Sequence, residues 1–493
     1  MAPLRDLELM IQSHYPLIAI ETSEEARLER ILVEVATSLQ IPLFMWSVTV
    51  GLKRAGSLSS VYDSQAPLKA LNNVGAMPGE GLFLFKDLHR YFDKPEIVRK
   101  LQDLAPSFKM DRRVIVLSAA QLTLPVELQA LAGVFTLDLP GPDELKAIAR
   151  RVVAELSRQR PVRVDLTPAD FDRLVERMRG FTELEAERAI TRTVLRDGAL
   201  SKKGLEAMVE IKKELLQKEG ILEYIAPEEN LAEVGGFRNL KTWLAKRKRA
   251  FAPEAKGFGL AAPRGILLLG VQGAGKTLVA RAIAREWELP LLKMETGRLY
   301  DKYVGESEKN LDKALRTAEQ MAPCVLMIDE LEKALGYSPS GDSDAGLSKR
   351  IFGRLLGWLQ DRTAPVFVVS TSNNIAELPP ELTRKGRFDE IFFVDLPNAE
   401  ERKEIFAVHL RKRRRDPAAF DLDRLATDSE GFTGAEIQQA IISGLYTAFS
   451  RSAELSTDIV LDELRSTRPL SVTRREVIDA LRAWARERAV MAN

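Results

Sequence analysis

A single cysteine, Cys324, stands among 493 residues, so no disulfide can close within the chain and a reducing compartment suits it. It heads an apolar strand and reads as a small buried hydrophobe. The three histidines, His14, His89 and His409, are too scattered for a histidine-rich zinc site. No apolar run approaches the ~18 residues of a membrane span. The N-terminal stretch MAPLRDLELMIQSHY carries Arg5, Asp6 and Glu8 where a secretory leader needs an apolar segment. Charge of one sign is missing too. With 72 Lys+Arg against 71 Asp+Glu the net charge is +1, which supplies no global field toward nucleic acid or anionic lipid. The clusters Lys246-Arg247-Lys248-Arg249 and Arg411-Lys412-Arg413-Arg414-Arg415 read as solvated helix ends. These absences favour a cytoplasmic protein. They disfavour a nucleic-acid motor, and they disfavour a membrane metalloprotease, which would need both a span and an H-E-x-x-H helix.

What is present is a phosphate cradle. Behind the apolar run Ile266-Leu267-Leu268-Leu269 comes GVQGAGKT, that is Gly270, Val271, Gln272, Gly273, Ala274, Gly275, Lys276 and Thr277. Backbone N–H groups can point at phosphate only where side chains are out of the way, and the three glycines provide that. Lys276 then reaches the β- and γ-phosphates, and the Thr277 hydroxyl can ligate Mg²⁺. The helix entered at Leu278 aims its positive N-terminal end at the same place. An incidental lysine in a glycine-rich turn is the rival reading, but it needs strand, loop and helix to fall here by coincidence.

Downstream, PCVLMIDE is a buried strand ending in Asp329 and Glu330, and APVFVVSTSNN is another ending in amides, among them Asn373. Alternating strands and helices predict a parallel sheet with its site at the strands' C-terminal ends. Asp329 suits Mg²⁺ held through water, Glu330 suits a base for the attacking water, and Asn373 suits a contact to the γ-phosphate or that water. Two like charges at one strand end want a cation beside them.

The first half repeats this pattern. LPVELQALAGVFTLDLPGPDELKAI echoes LPPELTRKGRFDEIFFVDLPNAEERKEIF, and GFTELEAERAI echoes GFTGAEIQQAI. Matched segments in one order argue for two copies of one fold. The first copy lacks the chemistry. Its strand Pro16 to Ile20 runs into Glu21-Thr22-Ser23-Glu24-Glu25, with no glycine loop and no lysine, and only Lys86-Asp87 stands where the paired carboxylates would be.

From about Val234 onward the chain resembles the AAA ATPases. GVQGAGKT looks like Walker A and VLMIDE like Walker B. Asn373 holds the sensor 1 position, and Arg384 and Arg387 in TRKGRFD look like paired arginine fingers. A structural pairing of those arginines with Asp389 or Glu390 is the alternative. Val234-Gly235-Gly236 resembles the segment lining the adenine pocket, and His409 the histidine near ribose and base, although it also fits an ordinary polar helix position. Gly434 and Ala435 fall at the sensor 2 glycine-alanine. DKYVGESEKN is similar to the first pore loop, with Lys302, Tyr303 and Val304 at a central channel; without that resemblance Tyr303 would read as a half-buried core residue. The whole chain looks most like the hypothetical chloroplast reading frame 46 family of cyanobacteria, plastids and other bacteria.

The resemblance implies an α/β fold: a P-loop NTPase parallel sheet with a helical lid, preceded by a degenerate AAA-like α/β domain. Expected boundaries are 1–200 for the degenerate domain, 201–230 for a charged helical linker, 231–400 for the large ATPase subdomain and 401–493 for the lid. The expected activity is hydrolysis of ATP with Mg²⁺ by a homo-oligomer, a hexamer by resemblance, acting on a protein client. A slowly hydrolysing, nucleotide-gated assembly switch is the alternative. The expected location is the cytoplasm, or the plastid stroma in a plastid-bearing source.

Overall fold

The computed structural model describes residues 2–493 apart from 58, 160, 227–229, 299–305, 335–344 and 385. The chain divides into two compact units, Met1–Leu200 and Ser201–Asn493.

The first unit holds β1 (Leu17–Glu21), β2 (Leu43–Ser47), β3 (Gly51–Arg54), β4 (Gly81–Lys86), β5 (Arg113–Ala119) and β6 (Ala132–Thr136), in the order β3-β2-β4-β5-β1-β6. All neighbours pair parallel except β2 with β3. Side chains alternate between two apolar layers: Leu82 and Leu84 of β4 enter one, Phe83 and Phe85 the other. Period-two alternation with both faces covered is why these strands read as unbroken apolar runs. Helices Pro142–Gln159, Pro168–Met178 and Glu183–Asp197 follow, with a short pair formed by β7 (Arg163–Asp165) and β8 (Ala199–Ser201).

In the second unit, β9 (Leu222–Ile225), β10 (Gly265–Gly270), β11 (Leu291–Met294), β12 (Cys324–Ile328), β13 (Val366–Ser372), β14 (Glu390–Val394) and β15 (Val490–Met491) form one sheet, ordered β15-β14-β10-β13-β12-β11-β9. Only β9 runs antiparallel to its neighbour. Removing the edge strands leaves β14-β10-β13-β12-β11, the same order as β6-β1-β5-β4-β2. The internal repeat is thus a repeat of topology. The echo GFT ends alike in both copies: Thr182 and Thr433 each form a capping box, with Glu185 and Glu436, at the start of a long helix.

Two expected boundaries shift. The segment 201–230 contains the expected helix, Lys202–Glu219, but Leu222–Ile225 then joins the sheet as β9, because its apolar residues bury against β11. The lid does not run through to residue 493. Its helices Ala399–Lys412, Leu422–Asp428, Gly434–Ser450 and Thr457–Ser466 build a separate core, after which helix Arg475–Arg488 packs Leu481 and Ala485 on Leu269 and Phe393, and β15 joins the sheet edge. Cys324 is fully buried, and burial pushes its thiol up to about 12, so it behaves as a packing residue.

The copies differ by an inversion of charge. In the second, a left-handed residue, Glu330, ends the strand after Asp329, and Lys276 opens the helix after β10. In the first, a left-handed Asp87 follows Lys86, and Glu25 opens the helix after β1. Lys86 pairs with Glu25 at 2.7 Å, so lysine and carboxylate have exchanged places. Glu24 fills the anion position itself: its Oε1 accepts the Glu183 N–H at 2.6 Å, at the start of the last long helix. Its other oxygen holds Arg27 at 2.8 Å, and Arg27 also reaches the Asp138 carbonyl and Glu144.

Both partners of the Arg27–Glu24 pair are about 95% buried. Removing one partner of such a pair leaves an uncompensated buried charge, at a cost of about 3 kcal/mol or more. Arg27→Ala is therefore expected to weaken the first unit by that amount, read as faster amide exchange along β1. Wild-type protection there would show the pair to be superficial.

Candidate functional site

The loop after β10 turns on two backbone positions that admit no ordinary side chain. Gly270 has φ +155°, and a Cβ there would lie 2.0 Å from the Val394 carbonyl oxygen. Gly273 has φ +77°, and a Cβ would crowd Ala435 and Thr433 at 3.2 Å. Strand and lid both press on this loop, and the Ala435 N–H donates to the Gly273 carbonyl at 3.1 Å. A side chain at Gly270 would strike strand β14 and one at Gly273 the lid helix and its cap, so packing and backbone conformation together hold both positions to glycine.

Lys276 is 6% exposed, and its ammonium donates to the carbonyls of Gly270 and Val271, both at 2.8 Å. Burial lowers its pKa to about 8, against the opposing pull of Glu332, Asp329 and Glu330. Thr277 donates to Asp329 at 3.2 Å, and Thr371 donates to the same carboxylate at 2.6 Å. Thr371 in turn accepts the Glu330 N–H at 2.9 Å, where the left-handed backbone swings the chain out of the strand. The Glu330 carboxylate is held from two sides, by the Asn373 amide at 3.2 Å and by the Lys333 ammonium at 2.8 Å. Glu332, 4% exposed, accepts the Asn373 N–H at 3.0 Å.

A cavity of about 350 Å³ collects these groups. It is lined by Gln272, Gly273, Ala274, Gly275, Lys276, Thr277 and Leu278 of the loop and helix, by Asp329, Glu330 and Asn373 at the strand ends, and by Val234, Gly235, His409, Gly434 and Ala435. Phe237, Thr371, Ile405, Val408 and Gln438 complete the wall together with Glu233 and Lys412, which pair at 3.9 Å. Gly270 and Val271 lie beneath and contribute their carbonyls to Lys276. The Val234–Gly236 segment is clamped: Lys241 donates to the Val234 carbonyl at 2.5 Å, and the Gly236 N–H donates to Glu404 at 2.9 Å. His409 is half-buried with its Nδ1 unpartnered. Burial first, then the Arg413 and Lys412 charges, pull its pKa down to about 4, so it is neutral at pH 7.

One end of the cavity thus combines apolar side chains and the neutral His409 with the Glu233–Lys412 pair. The other holds a buried cation and two carboxylates, the division that a nucleoside triphosphate requires. Thr277 and Asp329 make a hard oxygen donor set suited to Mg²⁺.

Arg384 and Arg387 do not line this cavity. Arg384 is exposed, and Arg387 donates to the Glu381 carbonyl. Among the described residues neither pairs with Asp389 or Glu390; Asp389 instead accepts backbone N–H groups from Arg264 and Gly265. Lys302, Tyr303 and Val304 lie outside the described residues. Spacing alone does not single out Thr371 and Glu332. The signal for the first is a run of hydroxyls, Ser370-Thr371-Ser372, inside an otherwise apolar strand.

Three family descriptions match in tandem: the N-terminal domain of SpoVK-like AAA ATPases at residues 4–137, their second domain at 143–219, and the ATPase family associated with various cellular activities (AAA) at 266–396. The AAA domain-containing protein ycf46 of Trieres chinensis is 37% identical over 97% of this chain and 96% of its own length. That of Guillardia theta is 35% identical over 98% and 95%. The proteasome-activating nucleotidase of Aeropyrum pernix is 34% identical over 40% of this chain and 49% of its own.

A pH dependence follows from Lys276. Its pKa of about 8 in the free protein must rise when phosphate charge arrives beside it, so binding above pH 8 takes up a proton. Affinity should hold level from about pH 7 to 8, then fall by up to about tenfold per pH unit. Calorimetry of ATP binding near pH 9, in buffers of differing ionisation enthalpy, is expected to show uptake approaching about one proton. Zero uptake would mean that Lys276 is already charged or does not meet the phosphates.

Proposed function

The chain belongs to the AAA ATPase family, among the ycf46 proteins, and we propose that its second unit hydrolyses ATP within a homo-oligomer to remodel a protein partner. One observation supports hydrolysis above the rest: Glu330 and Asn373, hydrogen-bonded at 3.2 Å, share the cavity with the buried Lys276. A carboxylate beside the phosphate end, fixed by an amide, is the equipment for orienting and deprotonating water.

The residues divide the work. The loop N–H groups and Lys276 fix the triphosphate and neutralise charge as the γ-phosphoryl departs. Thr277 and Asp329 would hold Mg²⁺, which when bound screens the phosphate oxygens. Glu330 accepts the water's proton, and Asn373 keeps its carboxylate aimed. Neutral His409 and the clamped Val234–Gly236 segment take the ribose and base. Arg384 is exposed and outside its own cavity, which suits a cation delivered to a neighbouring copy's γ-phosphate. The pore-loop residues Lys302, Tyr303 and Val304 would grip the client.

Work on protein rather than nucleic acid is favoured by the balanced charge and by a relative named for activating the proteasome. Among the described residues no helix is long and apolar enough to cross a membrane. We place the protein in the cytoplasm, or in the stroma of a plastid-bearing source.

Glu330→Gln is expected to bind ATP with unchanged affinity and turn it over at least about 100-fold more slowly, since only the base is lost. Wild-type turnover would remove Glu330 from that role. Arg384→Ala and Lys276→Ala, each inactive alone, should regain turnover when mixed, because one supplies the intact pocket and the other the arginine. A mixture that stays silent argues against a shared site. Tyr303→Ala should spare basal ATPase and melting temperature yet lose stimulation by a client. Joint loss of ATPase and stability would return Tyr303 to the core.

A further inference from the structure

The turn that carries Arg384 and Arg387 is held by a residue far from the cavity. Arg264 stands immediately before β10, and its guanidinium Nη1 donates to the Gln360 carbonyl at 2.8 Å and, more closely, to the Gly386 carbonyl. Its backbone N–H and that of Gly265 donate to the Asp389 carboxylate at 2.7 and 3.0 Å. Arg362, 9% exposed, backs the arrangement from below. It lies over the Trp358 ring and donates to the carbonyls of Arg264 and, at 3.1 Å, Leu359. Both chain directions into the turn are thereby fixed: Asp389 ties its exit to β10, and Arg264 ties its apex to the end of helix Ala345–Asp361.

The two arginines of the turn are not equivalent. Arg387 is half-buried and spends a donor on the Glu381 carbonyl within the same turn. Arg384 is exposed, its backbone N–H also tied to Glu381 at 3.2 Å. Gly386 bends the chain between them at φ +102°.

The placement excludes service to the chain's own pocket. Gly265 and Gly270 are the two ends of β10; the first adjoins this turn, and the second opens the phosphate loop. Five steps of a parallel strand span roughly 17 Å. That is farther than an arginine side chain reaches.

We propose that Arg264 is a positioning residue for hydrolysis in the neighbouring copy: bridging the Gln360 and Gly386 carbonyls, it sets the turn that presents Arg384, while Arg387 buttresses that turn from inside. One nitrogen, Nη1, meets both carbonyls at the end of a side chain one bond longer than a lysine's, so a lysine at this position would fall short of them. The inference rests on the ATPase reading above.

The test uses full-length Arg264→Ala and Arg264→Lys. Each should bind a fluorescent ATP analogue within about twofold of wild type, yet turn ATP over at least about tenfold more slowly. Mixed with Lys276→Ala, whose arginines are intact, each should recover turnover. Mixed with Arg384→Ala, each should stay inactive, because neither partner presents a competent arginine. A purely structural role would not produce this asymmetry. The proposal is overturned if Arg264→Lys turns over at the wild-type rate, if either variant loses nucleotide binding along with turnover, or if Lys276→Ala fails to rescue. Wild-type turnover by Arg384→Ala alone would sink the arginine reading itself, and the role of Arg264 with it.

Discussion

The second unit depends on burying a parallel sheet on both faces. Leu267 faces one apolar layer while Ile266 and Leu268 face the other, and β12 and β13 divide in the same way. Strands so enclosed admit few polar side chains along their length, because each would need a partner inside the core. Chemistry is driven to the C-terminal ends, where three strands deliver the phosphate loop, Asp329 with Glu330, and Asn373 within reach of one another. Strand β13 carries a buried polar run, Ser370-Thr371-Ser372, in which the Ser370 hydroxyl has no hydrogen-bond partner among the described residues. Thr371 lines the site and is bonded to both the Asp329 carboxylate and the Glu330 backbone.

The same constraint explains how two copies can share a fold and differ in the residues at their strand ends. The first unit keeps the strand order, the two apolar layers and the capped final helix, so its core needs nothing from a ligand. Its helix N-termini still favour negative charge. Glu24 supplies that charge from within, and Lys86 with Glu25 reverses the polarity that a triphosphate and its metal would require. An external anion would have to displace a buried carboxylate already paired with Arg27. The first copy satisfies within itself the charges that the second leaves facing a cavity.

The fold was legible in the sequence because apolar runs of strand length, each ending in a chemically distinct tip, suit little besides a parallel sheet covered on both faces. The cradle residues were legible because glycines at fixed spacing have a steric cause that Gly270 and Gly273 display. Edge strands were not. Leu222–Ile225 has only four residues, follows a charged helix and carries Glu223, so it reads as a connector, and its pairing with β11 is what makes it a strand. Val490–Met491 is shorter still. Contacts between distant segments are equally hidden. Nothing in the spacing of Arg264, Gln360 and Gly386 announces that one guanidinium joins them. Glu332 reads as an ordinary helical acid, and its role rests on burial against the Asn373 backbone.

Lys276 inside the cavity and Arg384 outside it are held in opposite ways. Lys276 is taken out of water, with Glu332, Asp329 and Glu330 near but its hydrogen bonds made to carbonyls; its pKa of about 8 leaves its charge poorly secured in the free protein. Phosphate charge beside it would secure the ammonium, so above about pH 8 nucleotide binding and proton uptake would be linked. An arginine there would remain charged under all conditions and carry its desolvation cost permanently. Arg384 faces the reverse demand. It is exposed, its backbone N–H tied to the Glu381 carbonyl at 3.2 Å, and in the proposed role it would have to be charged before it meets a neighbouring copy. An exposed guanidinium stays charged and offers several donors in a fixed plane, which suits that proposed role.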